Sequence, residues 1–382
     1  MRIAYVCTDP GIPVFGRKGA SVHAQAVLTE LVRAGHQVHL LTPRPGGDPL
    51  PGVTVHLLPA IGKGDAAQRE LRAQASDRHV AELLDLVDPD LVYERYALWG
   101  RTATQWAREN HIRSVLEVNA PLVEEQSRFR ELVDRSAAEA VAHSALTQAS
   151  SVVCVSDAVA AWACSVGADA ASVLVEPNGV DPARITIPAT PVTPTDAGQF
   201  TVGFVGTLKP WHGLEILVDA MVPLLRDDPS WRLLLVGDGP LAEDLRTRLT
   251  AAGVADRAEL TGAVDPGDVT SHLHRMDVAC APYPAGGSDY FSPLKVYEYL
   301  AAGLPVVASA VGQIPAALDH GRLGQLVQPG NSSALTQALV DLRADHARRV
   351  ALRNAGRAAV LARHTWAALV DRVLTRPQPR AA

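Results

Sequence analysis

Residues 189–205 read ATPVTPTDAGQFTVGFV, and the change inside that stretch decides the fold. Ala189–Gln199 is polar and proline-rich with no apolar period, which marks a linker. Thr201–Val205 then opens a strand pattern. On the N-terminal side, strand-like runs at Ile3–Cys7, Gln37–Thr42, Thr54–Leu58, Leu91–Glu94, Ser114–Val118, Val152–Val155 and Ser172–Val175 alternate with helical segments such as Ser21–Ala34 and Arg69–Val87. On the C-terminal side the alternation resumes, with strands at Arg232–Val236, Ala258–Leu260, Val278–Ala281, Pro305–Ala308 and Gln325–Val327. Helical segments carry apolar residues three and four apart. Several strands are apolar on both faces, as in parallel sheets covered by helices on each side. The chain therefore reads as α/β, with two Rossmann-like doubly wound domains facing an interdomain cleft. The expected boundaries are 1–188, a linker at 189–199, 200–375, and a flexible tail at 376–382.

Composition narrows the function. The 382 residues include 47% hydrophobic and 20% charged, enough for two cores. The net charge of −6 argues against nucleic acid as a partner. The chain enters a strand directly at Met1–Val6, and no run of 18 apolar residues occurs. Neither a signal peptide nor a membrane anchor is therefore expected, and a cytoplasmic protein is. Four scattered cysteines without CxxC spacing suit core thiols and no metal site. Lys and Arg total 35, yet only Lys18, Lys63, Lys209 and Lys295 are lysines.

Ligands of doubly wound sheets bind beyond the C-terminal strand ends, so the loops there carry the chemistry. After the first strand, Gly16-Arg17-Lys18-Gly19 precedes a helix. Glycines let backbone approach an anion, and a helix start offers free N–H groups. The alternative is an ordinary strand–helix turn. After the strand Thr201–Val205 comes Gly206-Thr207-Leu208-Lys209-Pro210-Trp211-His212-Gly213. Here Lys209 either neutralises a phosphate or is a solvated loop lysine with Trp211 packed as a lid. Val236-Gly237-Asp238-Gly239-Pro240 either lines a nucleoside pocket or is a structural turn. Ser292-Pro293-Leu294-Lys295-Val296-Tyr297-Glu298 places one acid on a short, largely apolar helix, and a buried acid needs a partner. Ribose hydroxyls would serve, and so would an arginine. Lys18, Lys209 and Lys295 all fall in these loops, which supports one bound polyanion.

These residues resemble the retaining family 4 glycosyltransferases, which have the GT-B fold. The resemblance spans nearly the whole chain. It rests on Gly16–Ser21, on Ser151–Ser156, on Pro177-Asn178-Gly179-Val180-Asp181, on Val236–Pro240, and on Pro293–Ser309 (PLKVYEYLAAGLPVVAS). It implies transfer of a sugar from a nucleoside diphosphate donor, UDP or GDP, with retention and without a metal. By resemblance, Glu298 holds the ribose. The segments Ser292–Lys295 and Gly16–Gly19 hold the diphosphate, and backbone around Val264 receives the base.

Three positions depart from the family pattern. A first Glu, eight residues before Glu298, is replaced by Tyr290, with Asp289 beside it. The family's Arg and Lys on the diphosphate fall at Thr207 and His212, so Lys209 is expected to supply the charge and His212 a hydrogen bond. A family His falls at Asn119, which cannot carry a proton. Lys209, Lys18, Asn119 and Asp289 are thus the expected catalytic set.

The acceptor is expected on the N-terminal domain near Glu94, Arg95, Tyr96, Trp99 and Asn119, where aromatics and charges follow strand ends. Glu124, Glu125, Arg128 and Arg130 follow on what reads as a long helix. Their mixed charge favours a soluble small molecule over the alternatives, a lipid-linked acceptor or an epimerase acting on the nucleotide sugar alone.

Overall fold

The computed structural model describes residues 1–187, 198–286 and 290–376. It divides into two compact units. The first contains 1–178, Tyr290–Ser292 and the C-terminal segment from Trp366; the second contains Gly179–Asp289 and Pro293–Thr365.

The first unit is built on seven parallel strands, β1 (Arg2–Val6), β2 (Gln37–Thr42), β3 (Val53–Leu57), β4 (Leu91–Arg95), β5 (Arg113–Val118), β6 (Ser151–Cys154) and β7 (Val173–Val175). Their order is β3-β2-β1-β4-β5-β6-β7. The second unit has β8 (Phe200–Val205), β9 (Trp231–Val236), β10 (Ala258–Leu260), β11 (Val278–Ala281), β12 (Val306–Ser309) and β13 (Gln325–Val327), in the order β10-β9-β8-β11-β12-β13. The register is regular, with Val6 opposite Leu41 and Glu94, and Val205 opposite Val236. Both orders reverse direction at the first strand of the unit. The loops after β1 and β4, and those after β8 and β11, therefore part at a topological switch point, where such sheets bind ligands.

Each sheet is buried by helices that present one apolar face. Val27, Leu28 and Leu31 of the helix Gly19–Arg33 cover Tyr5, Leu40 and Tyr93 in the first unit. Leu217, Val218 and Met221 cover Leu233 and Leu235 in the second. Cys7, Cys154 and Cys280 are buried free thiols, while Cys164 is exposed.

Four expectations change. The C-terminal boundary at 375 moves, because the helix Trp366–Thr375 packs Trp366, Leu369, Val370 and Val373 into the core of the first unit. Arg113 caps its end by donating to Leu374 O at 2.5 Å and Val373 O at 2.7 Å. Glu176 grips Arg372 at 2.8 and 2.6 Å. The N-terminal boundary also shifts, since Gly179–Ile187 joins the second unit. The stretch Arg69–Val87 is two helices, Ala66–Arg78 and Val80–Val87, broken at His79. The helix bearing Glu124, Glu125 and Arg128 is short, Leu122–Phe129, and Arg130 lies beyond it. The linker positions 189–197 and tail positions 377–382 lie outside the described residues.

Candidate functional site

In the second unit, β8 runs into Gly206 at φ +145° and β9 into Gly237 at φ +132°. A Cβ on Gly237 would stand 2.1 Å from the Gly206 carbonyl oxygen, so only glycine lets the two turns touch. Gly237 also bridges to Gly262, and Val264 follows, half-buried. Of the two readings of Val236–Pro240, the structural one thus has a packing reason for its first glycine.

Past Gly206 the chain makes a tight turn at Pro210–His212. Thr207 is exposed, and its carbonyl accepts from His212 Nδ1 at 2.6 Å. Burial first, then the charges of Lys295 and Lys209, push the His212 pKa down to about 4. The ring is therefore neutral at pH 7, with Nδ1–H committed to Thr207 and Nε2 left as an acceptor. This corrects the expectation that His212 donates to a phosphate, which it does only on gaining a proton. Lys209 Nζ lies 4.6 Å over the ring of Trp211, which is exposed.

The helix Leu294–Ala301 starts after Pro293 with no side-chain cap and no acid in its first turn. Its leading N–H groups are open to an anion. Lys295, expected among the ligand-binding loops, lies inside that first turn, half-buried with its nitrogen enclosed. Its ammonium has no hydrogen-bond partner and sits 4.5 Å from the Phe204 ring centroid and 5.1 Å from that of Tyr283. Burial brings its pKa down to about 7, against a small opposing pull from Glu298. Glu298 is paired through Oε1 with Arg184, leaving Oε2 without a protein partner among the described residues. The arginine partner left open by the sequence is therefore present, and one carboxylate oxygen remains for a ligand. Ser292 belongs to the first unit, where its hydroxyl accepts from Asn178 N at 2.9 Å. Asp289 lies outside the described residues.

In the first unit, Gly16 N–H donates to Pro13 O at 2.9 Å, and a Cβ there would collide with Pro13. Gly19 opens the helix facing unfilled space, again with no cap and no acid in the first turn. Lys18 Nζ donates to Gly11 O at 3.1 Å. Asn119 donates its amide to Glu117 Oε1 at 2.6 Å, so its oxygen is the group it presents. Glu117 also takes Arg95 NH1 at 2.7 Å and the Tyr93 hydroxyl at 3.0 Å, with His23 Nε2 3.0 Å away. Although wholly buried, Glu117 is held well below the usual carboxylate range by His23, Arg95 and Asn119.

The expected acceptor residues separate. Arg95 is buried against Glu117, and Glu94 is fully buried with both oxygens unpartnered, its pKa raised by burial and then by Asp77. Both belong to a strand covered on each face, so neither reaches a surface. Tyr96 packs near Trp162 in the core. Trp99 does line a cavity of about 430 Å³ at the ends of β1 and β4, with Asp9, Arg44, Lys63, Arg69 and Arg130 among its walls. Tyr290, at the missing family Glu, donates to Glu125 Oε2 at 3.1 Å. Arg44 and Arg69 of the cavity, Arg184, and the aromatic walls of Lys295 were not singled out from sequence. Arg184 follows the PNGVD motif by three residues, which was the available signal; Phe204 on β8 and Tyr283 in the loop after β11 are far apart in sequence and gave none.

Two parallel doubly wound sheets with glycine turns at their switch points define a GT-B glycosyltransferase architecture. The model of the family described as "Glycosyl transferases group 1" matches residues 199–345, and that of "Glycosyltransferase Family 4" matches 17–184. The chain thus carries a family 4 glycosyltransferase domain at 17–184 followed by a group 1 glycosyltransferase domain at 199–345. A phosphatidyl-myo-inositol mannosyltransferase from Mycobacterium leprae is 31% identical over 58% of this chain and 57% of its own length. A D-inositol 3-phosphate glycosyltransferase from Segniliparus rotundus is 27% identical over 93% of this chain and 83% of its own. The chain spans about half the length of the mannosyltransferase relatives it matches. Among solved structures, sucrose-phosphate synthase from Thermosynechococcus elongatus has a TM-score of 0.75 at 20% identity, covering 97% of each chain. Anabaena HepE in complex with UDP has a TM-score of 0.74 at 20% identity, covering 98% of each. Among the described residues no helix is long and apolar enough to cross a membrane, and no three metal-ligating side chains are grouped.

Proposed function

We propose that this chain transfers a sugar, with retention, from a GDP- or UDP-sugar to a lipid-linked acceptor with a polar, anionic headgroup. The donor lies on the second unit, with ribose on Glu298 Oε2 and diphosphate at Gly206 and the open helix start at Leu294–Lys295. Departure of the sugar builds negative charge on the diphosphate, and N–H groups with Lys209 and Lys295 stabilise it. Tyr290 supplies no carboxylate nucleophile and Asn119 no base, so the leaving diphosphate is the natural proton acceptor for the attacking hydroxyl.

The observation that carries the acceptor reading is the cavity beside Trp99. Arg44, Lys63, Arg69 and Arg130 stand in its walls beside four acids, Asp9, Glu70, Glu125 and Glu131. Three of those acids already accept hydrogen bonds from the protein: Glu70 from Val133 N and Asp134 N at 2.8 and 3.0 Å, Asp9 from Gly11 N at 2.6 Å, and Glu125 from the Tyr290 hydroxyl at 3.1 Å. The Glu70 contact lays the segment after Phe129 against the helix Ala66–Arg78, where Leu71, Phe129 and Val133 are exposed. Four basic side chains facing mostly engaged acids, in a cavity edged by exposed apolar side chains, suit a charged headgroup on an acyl anchor better than a freely soluble molecule. The acceptors named for the relatives, phosphatidylinositol and inositol phosphate, support the same chemistry.

The test supplies sugar-labelled GDP-mannose or UDP-glucose with phosphatidylinositol vesicles or with free inositol phosphate. Label extracted into organic solvent is the expected result. Label only on a water-soluble product overturns the lipid part, and release of free sugar alone overturns transfer.

A further inference from the structure

Among the described residues of the second unit, Lys295 carries a charge that the unit's own packing does not explain. Its side chain is half-buried, but its nitrogen is buried, makes no hydrogen bond, and has two aromatic faces beside it. Ring faces attract a cation, but they do not replace the hydrogen bonds of water. Its titratable and charged neighbours are few. His212 interacts with it from the turn after β8, with Lys209 acting on the same ring; Tyr283 faces it from the loop after β11, and Glu298 from its own helix, while Cys280 and Tyr299 stand next to Tyr283. His212 is neutral at pH 7, Lys209 is a like charge, and burial pushes the Tyr283 and Cys280 pKa values well up, so neither is an anion. Tyr299 is turned to the backbone of Val205 at 2.8 Å. Glu298, the single carboxylate of the set, is engaged by Arg184.

One side of this enclosure is backbone without a side chain. A Cβ on Gly206 would lie 3.6 Å from Lys295 Nζ and 3.4 Å from the Phe204 ring. An anion seated against Gly206 would therefore reach the amine without crossing a side chain. An ammonium is strongly hydrated and shifts its pKa readily when buried. A diphosphate beside it supplies both the charge and the acceptor oxygens that the empty site lacks.

We propose that Lys295 stands as a neutral amine in much of the nucleotide-free protein and takes up one proton from solvent when the donor's diphosphate binds beside Gly206. The amine lone pair forms the new N–H bond, no other bond changes, and the cation that stabilises the leaving diphosphate is created by donor binding itself. This rests on the donor-site reading above. The complex then holds more protons than its parts, so nucleotide affinity falls as pH rises above neutrality, by up to about tenfold per pH unit.

Protein labelled with ¹³C at lysine Cε tests it in two steps. In the free protein, the resonance lost in Lys295→Met is expected to titrate close to neutral pH; titration of that resonance above pH 9 overturns the proposal. GDP and UDP are then titrated calorimetrically at pH 8 in buffers of different ionisation enthalpy. At that pH the nucleotides' terminal phosphates are ionised and His212 is far above its range. About one proton taken up per bound nucleotide, absent in Lys295→Met, is the expected result. Binding without proton uptake in the native protein overturns the proposal and leaves the donor site standing. No binding of either nucleotide overturns the donor-site reading and the proposal with it.

Discussion

The two units each bury a charged group close to strand ends, and they treat it in opposite ways. Glu117, on β5, has its oxygens met by Arg95, Asn119 and Tyr93, with His23 within 3.0 Å. Lys295, beside β8, has two aromatic rings and no hydrogen bond. Burial alone raises a carboxylate pKa and lowers an amine pKa. For Glu117 the neighbours win and the group is held ionised; for Lys295 burial wins. A fully partnered buried charge belongs to the architecture, whereas an unpartnered one beside open backbone fits a place reserved for a ligand.

The comparison is broken most forcefully at Glu117. Glu117→Ala leaves Arg95 buried without its partner, and loss of about 3–5 kcal/mol is expected, read from the denaturant midpoint. A loss below about 1 kcal/mol would contradict the network. The pH dependence has a definite sign. Because the folded pKa of Glu117 is depressed, its stabilisation is full above the unfolded carboxylate range and is lost as pH falls through the folded value. His23, lowered by burial, acts in the same direction below pH 6.5. Next comes Gly237→Ala. The added methyl meets Gly206 O at φ +132°, and about 1–3 kcal/mol of strain is expected together with weakened nucleotide binding. A variant as stable as the parent would show that the two turns part freely.

Lys295→Met sharpens the contrast. It keeps the shape of the side chain and removes the charge, so stability should change by less than about 1.5 kcal/mol while nucleotide affinity drops. Strong destabilisation would make Lys295 a structural group like Glu117. Lys209→Ala is expected to be the gentlest. It removes an exposed cation–π contact worth about 0.5–1 kcal/mol, so melting should hardly move while turnover falls. Unchanged turnover would return Lys209 to a solvated loop residue.

Both sheets were legible in the sequence, because fully buried parallel strands such as Ile3–Cys7 and Val278–Ala281 stand out as apolar runs between helical periods. The fate of Trp366–Val373 was not. Its apolar spacing announces a helix, but nothing local says which unit it covers. The glycine turns and Glu298 were visible as motifs, since backbone approach and an isolated acid leave residue-level marks. The acceptor side was misread at Glu94 and Arg95 because a charged pair at a strand end looks like a surface feature. Pairing of Arg95 with Glu117 across adjacent strands is decided by register, which the sequence does not display. Lys295 stands out in sequence for its rarity, yet its enclosure depends on Phe204 of β8 and Tyr283 of the loop after β11 meeting around it.

The most direct test of the donor assignment is calorimetric titration of GDP and UDP into the native protein and into Glu298→Ala. The account predicts one saturable site for at least one nucleotide, and an affinity at least about tenfold weaker in the folded variant, equivalent to about 1.4 kcal/mol. Equal affinity in native protein and folded variant would contradict it, and would leave Glu298 as no more than the partner of Arg184.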